Sequence, residues 1–531
     1  MNSAQSERFH FRGVLKYAAI FLLFLALVVA LQKLGGAYES EFGSHPDEAA
    51  HYVTGLMVRD YIAAGFPGNP MTYAKNYYDH YPKVALGHWP PVFYLLQSGW
   101  TLIFTPSRIS ILLFIASLAA LLATVLFSIL KREFGFGRAF GGAILFLAIP
   151  LIQQSFGAVM TEILVALLIL FAAIYFGRYL DNEKRFDAIA FGVLASIAIL
   201  TKFSGFLLAL VPVFGILLSR KFYLLKRMSF WWPAIIVIVL CGPWTLLTLK
   251  MASDGMVEGE SGLAFIKNAA PFYLSKLFLA VGGTISILAV VGLLQKFSRK
   301  KITPSQLSLA MGSLLASVVT FHVVVSSGYE ARHLVAALPA MIFFAIAGAN
   351  ALGRFFEERG CTPRVAASIT FGIAALAFVG GTFGIPQKSY RGFGPIADSL
   401  LKNPEAQKAK FLVSSDARGE GMFISEVARR EKRPGHIVQR ASKAFSKSSW
   451  SGGNYESKFQ DEEAVAKFLR QSGTGFLILD TSLPKAAQKK HHELLLLVVE
   501  NDSEHFSLLG SYAIERGGKQ MTNAIKLFHV R

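Results

Sequence analysis

Residues 45–52, HPDEAAHY, set two carboxylates and two imidazoles within two helical turns. On an α-helix Asp47 and His51 are four apart and share a face. A carboxylate partly desolvated there can take a proton from an attacking hydroxyl. The same residues also have a plain capping explanation: Ser44 as N-cap, Pro46 in the first turn and Asp47 at the third helical position. Capping leaves Glu48 and His51 unexplained. His45, His51, His80 and His88 all fall between residues 35 and 108. With Asp47 and Glu48 they could ligate a divalent metal ion, although their spacing is not a tight metal-ligand pattern.

Further ionisable groups stand at the ends of apolar runs. Glu162 lies in FGAVMTEILVALL, Lys202 in AILTKFSGFL, and Arg332 and His333 in GYEARHLVAALP. Charge at membrane depth is costly and usually lines a polar cavity. The plainer alternative for a basic residue at a span end is snorkelling to the interface. Arg can hold a phosphate bidentately. Together these residue types offer a carboxylate base and a cationic phosphate site in a cavity opening at the membrane surface.

Composition decides what must position them. The chain has 531 residues, 53% hydrophobic and 16% charged, where an ordinary soluble domain carries about 25% charged. A soluble enzyme, a disordered chain, a collagen-like chain and a disulfide-stapled one are excluded. The two cysteines are Cys241 and Cys361. Apolar runs fall at 17–31, 109–130, 139–155, 160–178, 187–201, 203–219, 230–249, 273–294, 306–325, 334–352 and 365–385. They predict about eleven spans, several near the lower limit of the roughly 17–25 residues that cross a bilayer. The first follows the basic stretch MNSAQSERFHFRGVLK and reads as an uncleaved span with a cytoplasmic N-terminus.

The connecting segments alternate. Residues 131–138, 178–185, 219–227, 296–301 and 354–364 are rich in Lys and Arg. Residues 35–108, 154–162, the turn at Lys202, 250–272 and 326–334 hold most of the acids and histidines. The basic set reads as cytoplasmic and the other set as outside. The net charge of +19 then belongs to cytoplasmic loops, not to a nucleic-acid surface. An odd number of spans places residues 386–531 outside.

That tail changes character. Segments 410–415, 436–439, 475–481 and 506–513 read as strands, and Gly421–Glu431 and Glu462–Gln471 as amphipathic helices. RGEG at 418–421 could hold an anion at a helix N-terminus, or form a plain glycine turn. The first outside loop is too long to be a simple connection. It contains Val92–Ile103, read as an interfacial helix. The expected architecture is an α-helical polytopic membrane protein. Residues 1–385 form the membrane domain, with 35–108 as its catalytic loop. Residues 386–531 form a C-terminal extracytoplasmic α/β domain.

These residues resemble the integral-membrane GT-C glycosyltransferases, and within them glycosyltransferase family 39 with its bacterial relatives. Those relatives are the protein O-mannosyltransferases, the aminoarabinose transferase of lipid A and the Rgt-type enzymes of the lipopolysaccharide core. The resemblance covers residues 10–350 and rests on four places in order: HPDEAAHY after the first span, HWPPVFY closing the loop, AILTKFSG between two middle spans, and EARHLVAALP opening a late one. It implies a polyprenyl-phosphate-linked sugar as donor and a hydroxyl on an envelope glycan, lipid or protein as acceptor. The reaction would take place on the outer face of a bacterial cytoplasmic membrane. It makes Asp47 the general base and Glu48 its partner toward acceptor or metal. Lys83 and His88 fall near the donor phosphate, Glu162 at a second acidic position usually filled by Asp, and Lys202 and Arg332 at basic positions. His51 and His333 complete the substrate-binding set. The sequence departs from the pattern at His88–Trp89, where relatives often carry Lys, and at His333, where Tyr is commoner.

The implied reaction inverts the anomeric carbon. Asp47 takes the acceptor's proton, and Lys83, Arg332 or a divalent metal ion meets the charge on the departing polyprenyl phosphate. GxSxG, HExxH and Cys–His patterns are lacking, so hydrolase chemistry is unsupported. The rival readings are a multispanning lipid or solute transporter and a non-catalytic membrane anchor. The transporter reading lacks an inverted repeat.

Overall fold

The computed structural model describes residues 3–85, 87–254, 260–298, 304–326, 328–355, 357, 360, 362–449 and 453–531. Helix α1 (Ser3–Leu34) leads into the first loop, which carries α2 (Pro46–Ala63), α3 (Pro70–His80) and α4 (Val92–Ile103). Then come α5 (Arg108–Phe134), α6 (Phe136–Ala148), α7 (Pro150–Phe156), α8 (Glu162–Asn182), α9 (Arg185–Ile199), α10 (Leu210–Ser219) and α11 (Met228–Asp254). The helical part ends with α12 (Gly262–Val281), α13 (Gly283–Phe297), α14 (Gln306–Val324), α15 (Leu338–Phe355) and α16 (Pro363–Gly381).

Among the described residues seven helices are long and apolar enough to cross a membrane, or up to nine when each of two bent pairs is one span. The chain is a multi-pass membrane protein. All eleven expected runs are helical, but two are too short to pass alone. They are α9, with 15 residues, and Phe203–Ser219, whose first turns are 3-10 helix. The expected spans at 139–155 and 273–294 are bent by 67° and 109°. The first bend falls at Ile149, extended because Pro150 follows it. The second falls at Gly282, whose φ of +78° suits a residue without Cβ. The basic segments meet one another at one end of the bundle. Lys296 pairs with Glu133 at 2.6 Å, Arg227 with Glu183 at 2.6 Å, and Arg138 donates to Asn350.

The tail contains β1 (Tyr390–Arg391), α17 (Phe393–Lys402), β2 (Lys410–Ser414), α18 (Ala417–Arg430), β3 (Val438–Arg440), α19 (Ala441–Ala444), β4 (Ser446–Lys447) and β5 (Glu456–Ser457). It closes with α20 (Glu462–Gln471), β6 (Thr474–Asp480), α21 (Lys490–Asn501), β7 (Phe506–Arg516) and β8 (Lys519–Val530). Six strands form a mixed sheet in the order β1-β7-β8-β6-β2-β3. β2 runs parallel to β3 and β6, and its apolar residues are buried without alternation, as in a strand covered on both faces. Helix α18 starts ahead of the expected Gly421, because Asp416 caps it by accepting the Gly419 N–H at 2.8 Å. RGEG therefore lies inside the helix, and a carboxylate of the same chain already occupies the helix N-terminus.

The tail is fastened to the first loop. Lys388 N–H donates to the Gly35 carbonyl at 2.8 Å, and Glu41 N–H to the Tyr390 carbonyl at 2.6 Å. A Cβ on Gly35 would stand 2.9 Å from the Pro386 carbonyl oxygen, so the two backbones can meet only at glycine. Arg433 Nε pairs with Asp60 at 2.7 Å, and Arg108 pairs with Glu426. Helix α18 lies on α2, where a Cβ on Gly421 would be 3.0 Å from both the Ala49 Cβ and the Lys83 Cε.

One ion pair sits deepest in this contact. The Lys388 ammonium bonds Glu48, whose side chain is fully buried and also accepts the Val159 N–H at 3.1 Å. Breaking a buried pair from one side leaves a charge without its partner. Glu48→Gln is expected to lower stability by about 3 kcal/mol through the stranded Lys388 ammonium, and adding Lys388→Met to recover part of that loss. Thermal unfolding of the full chain in detergent reads both. A double variant no more stable than Glu48→Gln alone would show that the pair does not fasten the tail.

Candidate active site

Helix α2 begins differently from the capping expectation. His45, not Ser44, is the N-cap: its Nδ1 accepts the Asp47 N–H at 3.1 Å. Pro46 is the first helical residue and Asp47 the second. Ser44 instead donates its N–H and hydroxyl to Glu48 at 3.0 and 2.6 Å. The Asp47 carboxylate therefore projects from the helix start, where backbone N–H groups favour negative charge.

Arg332 lies in a 3-10 turn, Ala331–Ala337, that leads into α15. Its guanidinium reaches carboxylates from three segments. Nη2 stands 3.2 Å from Asp47 Oδ2, Nη1 stands 3.2 Å from Glu162 Oε1, and Nε pairs with Glu330. Glu162 is the first residue of α8, and its Oε1 also accepts from Lys202 Nζ at 2.6 Å. Lys202 sits in the extended break between α9 and the following 3-10 turn, at φ −157° and ψ 144°. An interrupted helix at membrane depth is tolerated where it lines a polar site. Burial alone would raise the Asp47 carboxyl. The neighbouring His45 and Arg332 more than offset it and hold Asp47 below the usual carboxylate range.

Two cavities meet at the start of α2. One, of about 320 Å³, lies between α1, α7 and the segment before β1, and is lined by His45, Gln153, Glu162, Arg332 and Lys388 beside apolar Leu31, Leu151 and Phe156. The other, of about 260 Å³, lies between the first loop and the sheet domain, and is lined by Asp47, Lys83, Asp416, Arg440 and Lys443. Asp47 faces the second cavity, while Glu162 and Arg332 face the first.

The remaining candidates take other positions. Glu48 points away from this cluster, to Lys388. His51 is buried against Trp89, ring centroids 4.2 Å apart, and bonds the Tyr94 hydroxyl through Nδ1 at 2.9 Å. Burial pushes its imidazole down to about 3, so it stays neutral. Lys83 donates to the Pro46 and Ala417 carbonyls at 3.3 and 3.1 Å and lines the Asp47 cavity, not the Arg332 one. Among the described residues that line these two cavities, His88 does not occur. His333 bonds the Tyr273 hydroxyl at 2.9 Å and stacks on His322 beside Glu162 and Lys202.

His80 Nδ1 bonds the Gly435 carbonyl of the tail at 2.8 Å. Among the described residues no group of three His, Cys, Asp or Glu side chains is set to hold a metal ion. The carboxylates of Asp47, Glu162 and Glu330 close instead on a guanidinium. Glu330 and Lys388 are the polar partners that sequence reasoning missed. Glu330 is two residues from Arg332 and was within reach of the EARHL pattern. Lys388 stands three residues past the apolar run 365–385, where a basic residue reads as an ordinary span end.

Residues 88–246 match the model of the dolichyl-phosphate-mannose-protein mannosyltransferase family. Among curated proteins no sequence matches the chain. Among solved structures it is similar to ArnT from Cupriavidus metallidurans bound to undecaprenyl phosphate. That likeness has 14% identity and a TM-score of 0.58, over 96% of this chain and 97% of that one. The oligosaccharyltransferase AglB from Archaeoglobus fulgidus, in complex with an inhibitory peptide and a dolichol-phosphate, is similar at 12% identity and a TM-score of 0.58, over 94% of this chain and 74% of that one. A structure of the Archaeoglobus fulgidus oligosaccharyltransferase with Zn and sulfate gives 13% identity and a TM-score of 0.55, over 93% and 71%. At such identities the likeness is one of fold. The chain thus has the GT-C fold, a helical membrane part carrying a C-terminal sheet domain, and resembles the family-39 type of membrane glycosyltransferase.

Proposed function

We propose that this protein is a membrane glycosyltransferase that moves a sugar from a polyprenyl-phosphate donor to an acceptor hydroxyl. The observation that carries the reading is the 3.2 Å contact between Asp47 and Arg332, with the carboxylate facing one cavity and the guanidinium the other. The Arg332 cavity combines apolar walls with Gln153, Arg332 and Lys388, and its Glu162 carboxylate is already paired with Lys202 and Arg332, which suits a lipid phosphate. The undecaprenyl phosphate of the ArnT structure and the dolichol-phosphate of the AglB structure belong to that chemical class. The Asp47 cavity takes the acceptor.

In the transfer, the acceptor oxygen bonds to the anomeric carbon as the bond from that carbon to the phosphate oxygen breaks. Attack from the Asp47 side, opposite the leaving phosphate, inverts the carbon. Asp47 is a weak base, so it orients the hydroxyl and takes its proton late, when the bonded oxygen has become acidic. Arg332 and Lys202 stabilise the phosphate as it leaves. Holding both substrates across one ion pair supplies much of the rate. The site and the tail lie on the extracytoplasmic face, since the basic segments gather at the other end of the bundle.

Purified full-length protein in lipid vesicles, supplied with labelled polyprenyl-phosphate sugars and a cell-envelope extract, tests this by release of polyprenyl phosphate. Asp47→Asn is expected to slow release by roughly 10²–10⁴-fold. Arg332→Lys is expected to slow it by roughly 10²-fold, because the bidentate contact is lost. Normal rates in both folded variants would overturn the reading. Because Asp47 is held below the ordinary carboxylate value of about 3.9, it stays ionised down to about pH 5, and the rate shows no acid-side fall that Asp47→Asn removes between about pH 7 and 5. Such a fall would place the proton acceptor on a different, more basic group.

A further inference from the structure

The cavity on the Asp47 side holds more positive charge than the transfer step uses. Lys83 comes from the first loop, and Arg440, Lys443 and Lys489 come from the sheet domain. Two acids line it as well, and each is engaged by an arginine. Asp47 faces Arg332, and Asp416 faces Arg516 Nη1 at 3.2 Å while capping α18. Arg440 is offset by the buried Glu420, to which its Nε donates at 2.8 Å.

Lys83 and Lys443 are held differently. Lys83 donates only to backbone carbonyls, those of Pro46 and Ala417. Lys443 donates to the Ser448 carbonyl and hydroxyl at 3.2 and 3.0 Å and to the Ser449 carbonyl at 2.7 Å. Lys489 lines the same cavity, 4.7 Å above the Tyr455 ring. Lys83 is only 8% exposed. Neutral oxygens orient an ammonium but do not balance its charge, and a buried charge without a counter-charge is costly. Burial pushes Lys83 down to about 7 and Lys443 down to about 8, the direction expected where counter-charge is short. A ligand that brings negative charge offsets that cost.

We propose that this cavity binds an anionic group, a phosphate or a carboxylate, carried by the acceptor apart from its reacting hydroxyl. The proposal rests on the transferase reading and narrows it to negatively charged glycans or lipids. Lys83 on the first loop and Lys443 on the sheet domain grip the anion from both walls. The acceptor is thereby placed with a hydroxyl toward Asp47, and the sheet domain becomes part of acceptor selection.

Titration calorimetry on the full chain in detergent, with glucose, glucose 6-phosphate and glucuronate as probes, tests this. Undecaprenyl phosphate is titrated into the same samples. At least one charged sugar is expected to bind about tenfold tighter than glucose, and which one does so separates phosphate from carboxylate. Lys443→Met is expected to weaken the charged sugar by about tenfold, Lys443→Arg to keep it within about threefold, and neither to change undecaprenyl phosphate binding. Equal binding of charged and neutral sugars would overturn the proposal. So would charged-sugar binding that Lys443→Met leaves intact and Arg332→Ala abolishes, since the anion would then sit in the donor cavity. Loss of undecaprenyl phosphate binding by the unaltered protein would instead count against the transferase reading, while the sugar comparison still decides the charge of the second cavity.

Discussion

One guanidinium ties the site together. Arg332 contacts Asp47, Glu162 and Glu330, and Lys202 shares Glu162 with it. Such charges are costly at a membrane boundary unless each has a partner. That requirement dictates the surrounding backbone. Asp47 and Glu162 are placed in the first turns of α2 and α8, where helix dipoles favour carboxylates. Lys202 is delivered from the extended residue ahead of a 3-10 turn and Arg332 from within one, so each side chain leaves a span before it becomes apolar helix. The pairing also leaves Asp47 weakly basic and fully ionised. It suits a reaction in which the acceptor proton moves late and the departing charge is met by cations already in place.

The sheet domain is a wall of the site and not an appendage. Its first segment threads back past Gly35 and inserts Lys388 beside Glu48. Helix α18 lies against α2 closely enough that a Cβ on Gly421 would press on Ala49 and Lys83. The second cavity exists only because of this contact, since residues of the first loop close a lining supplied mostly by the tail. Fold and access to Asp47 from the second cavity therefore depend on the same interface.

Much of this was legible in the sequence because burial makes charge conspicuous. Glu162, Lys202 and Arg332 each stand at the end of an apolar run, and all eleven runs are helical. The alternation of basic and acidic connecting segments anticipated that Asp47, Glu162, Lys202 and Arg332 meet. Other features left no local trace. Lys388 and Glu48 are 340 residues apart, and neither flank suggests a partner. His45 caps α2 through its ring nitrogen, an unusual choice beside an available Ser44. Strand β8 escaped notice because Asn523 and Lys526 break the apolar alternation that would mark it, and its register is supplied by β6 and β7. The 109° bend at Gly282 depends on packing around one glycine within an otherwise continuous apolar run. Lys83 lines the cavity beside Asp47, where α18 brings the Ala417 carbonyl to it, a contact across 334 residues that no local pattern marks.

The most direct measurement is a comparison of polyprenyl-phosphate sugars extracted from three strains: one lacking this protein, one complemented with it, and one carrying Asp47→Asn. Accumulation of one lipid-linked sugar in the first and third strains, but not in the complemented one, is the result expected, and it would name the donor. Matching lipid pools in all three, with the Asp47→Asn protein present and folded in the membrane, would contradict the assignment of sugar transfer to the Asp47–Arg332 site.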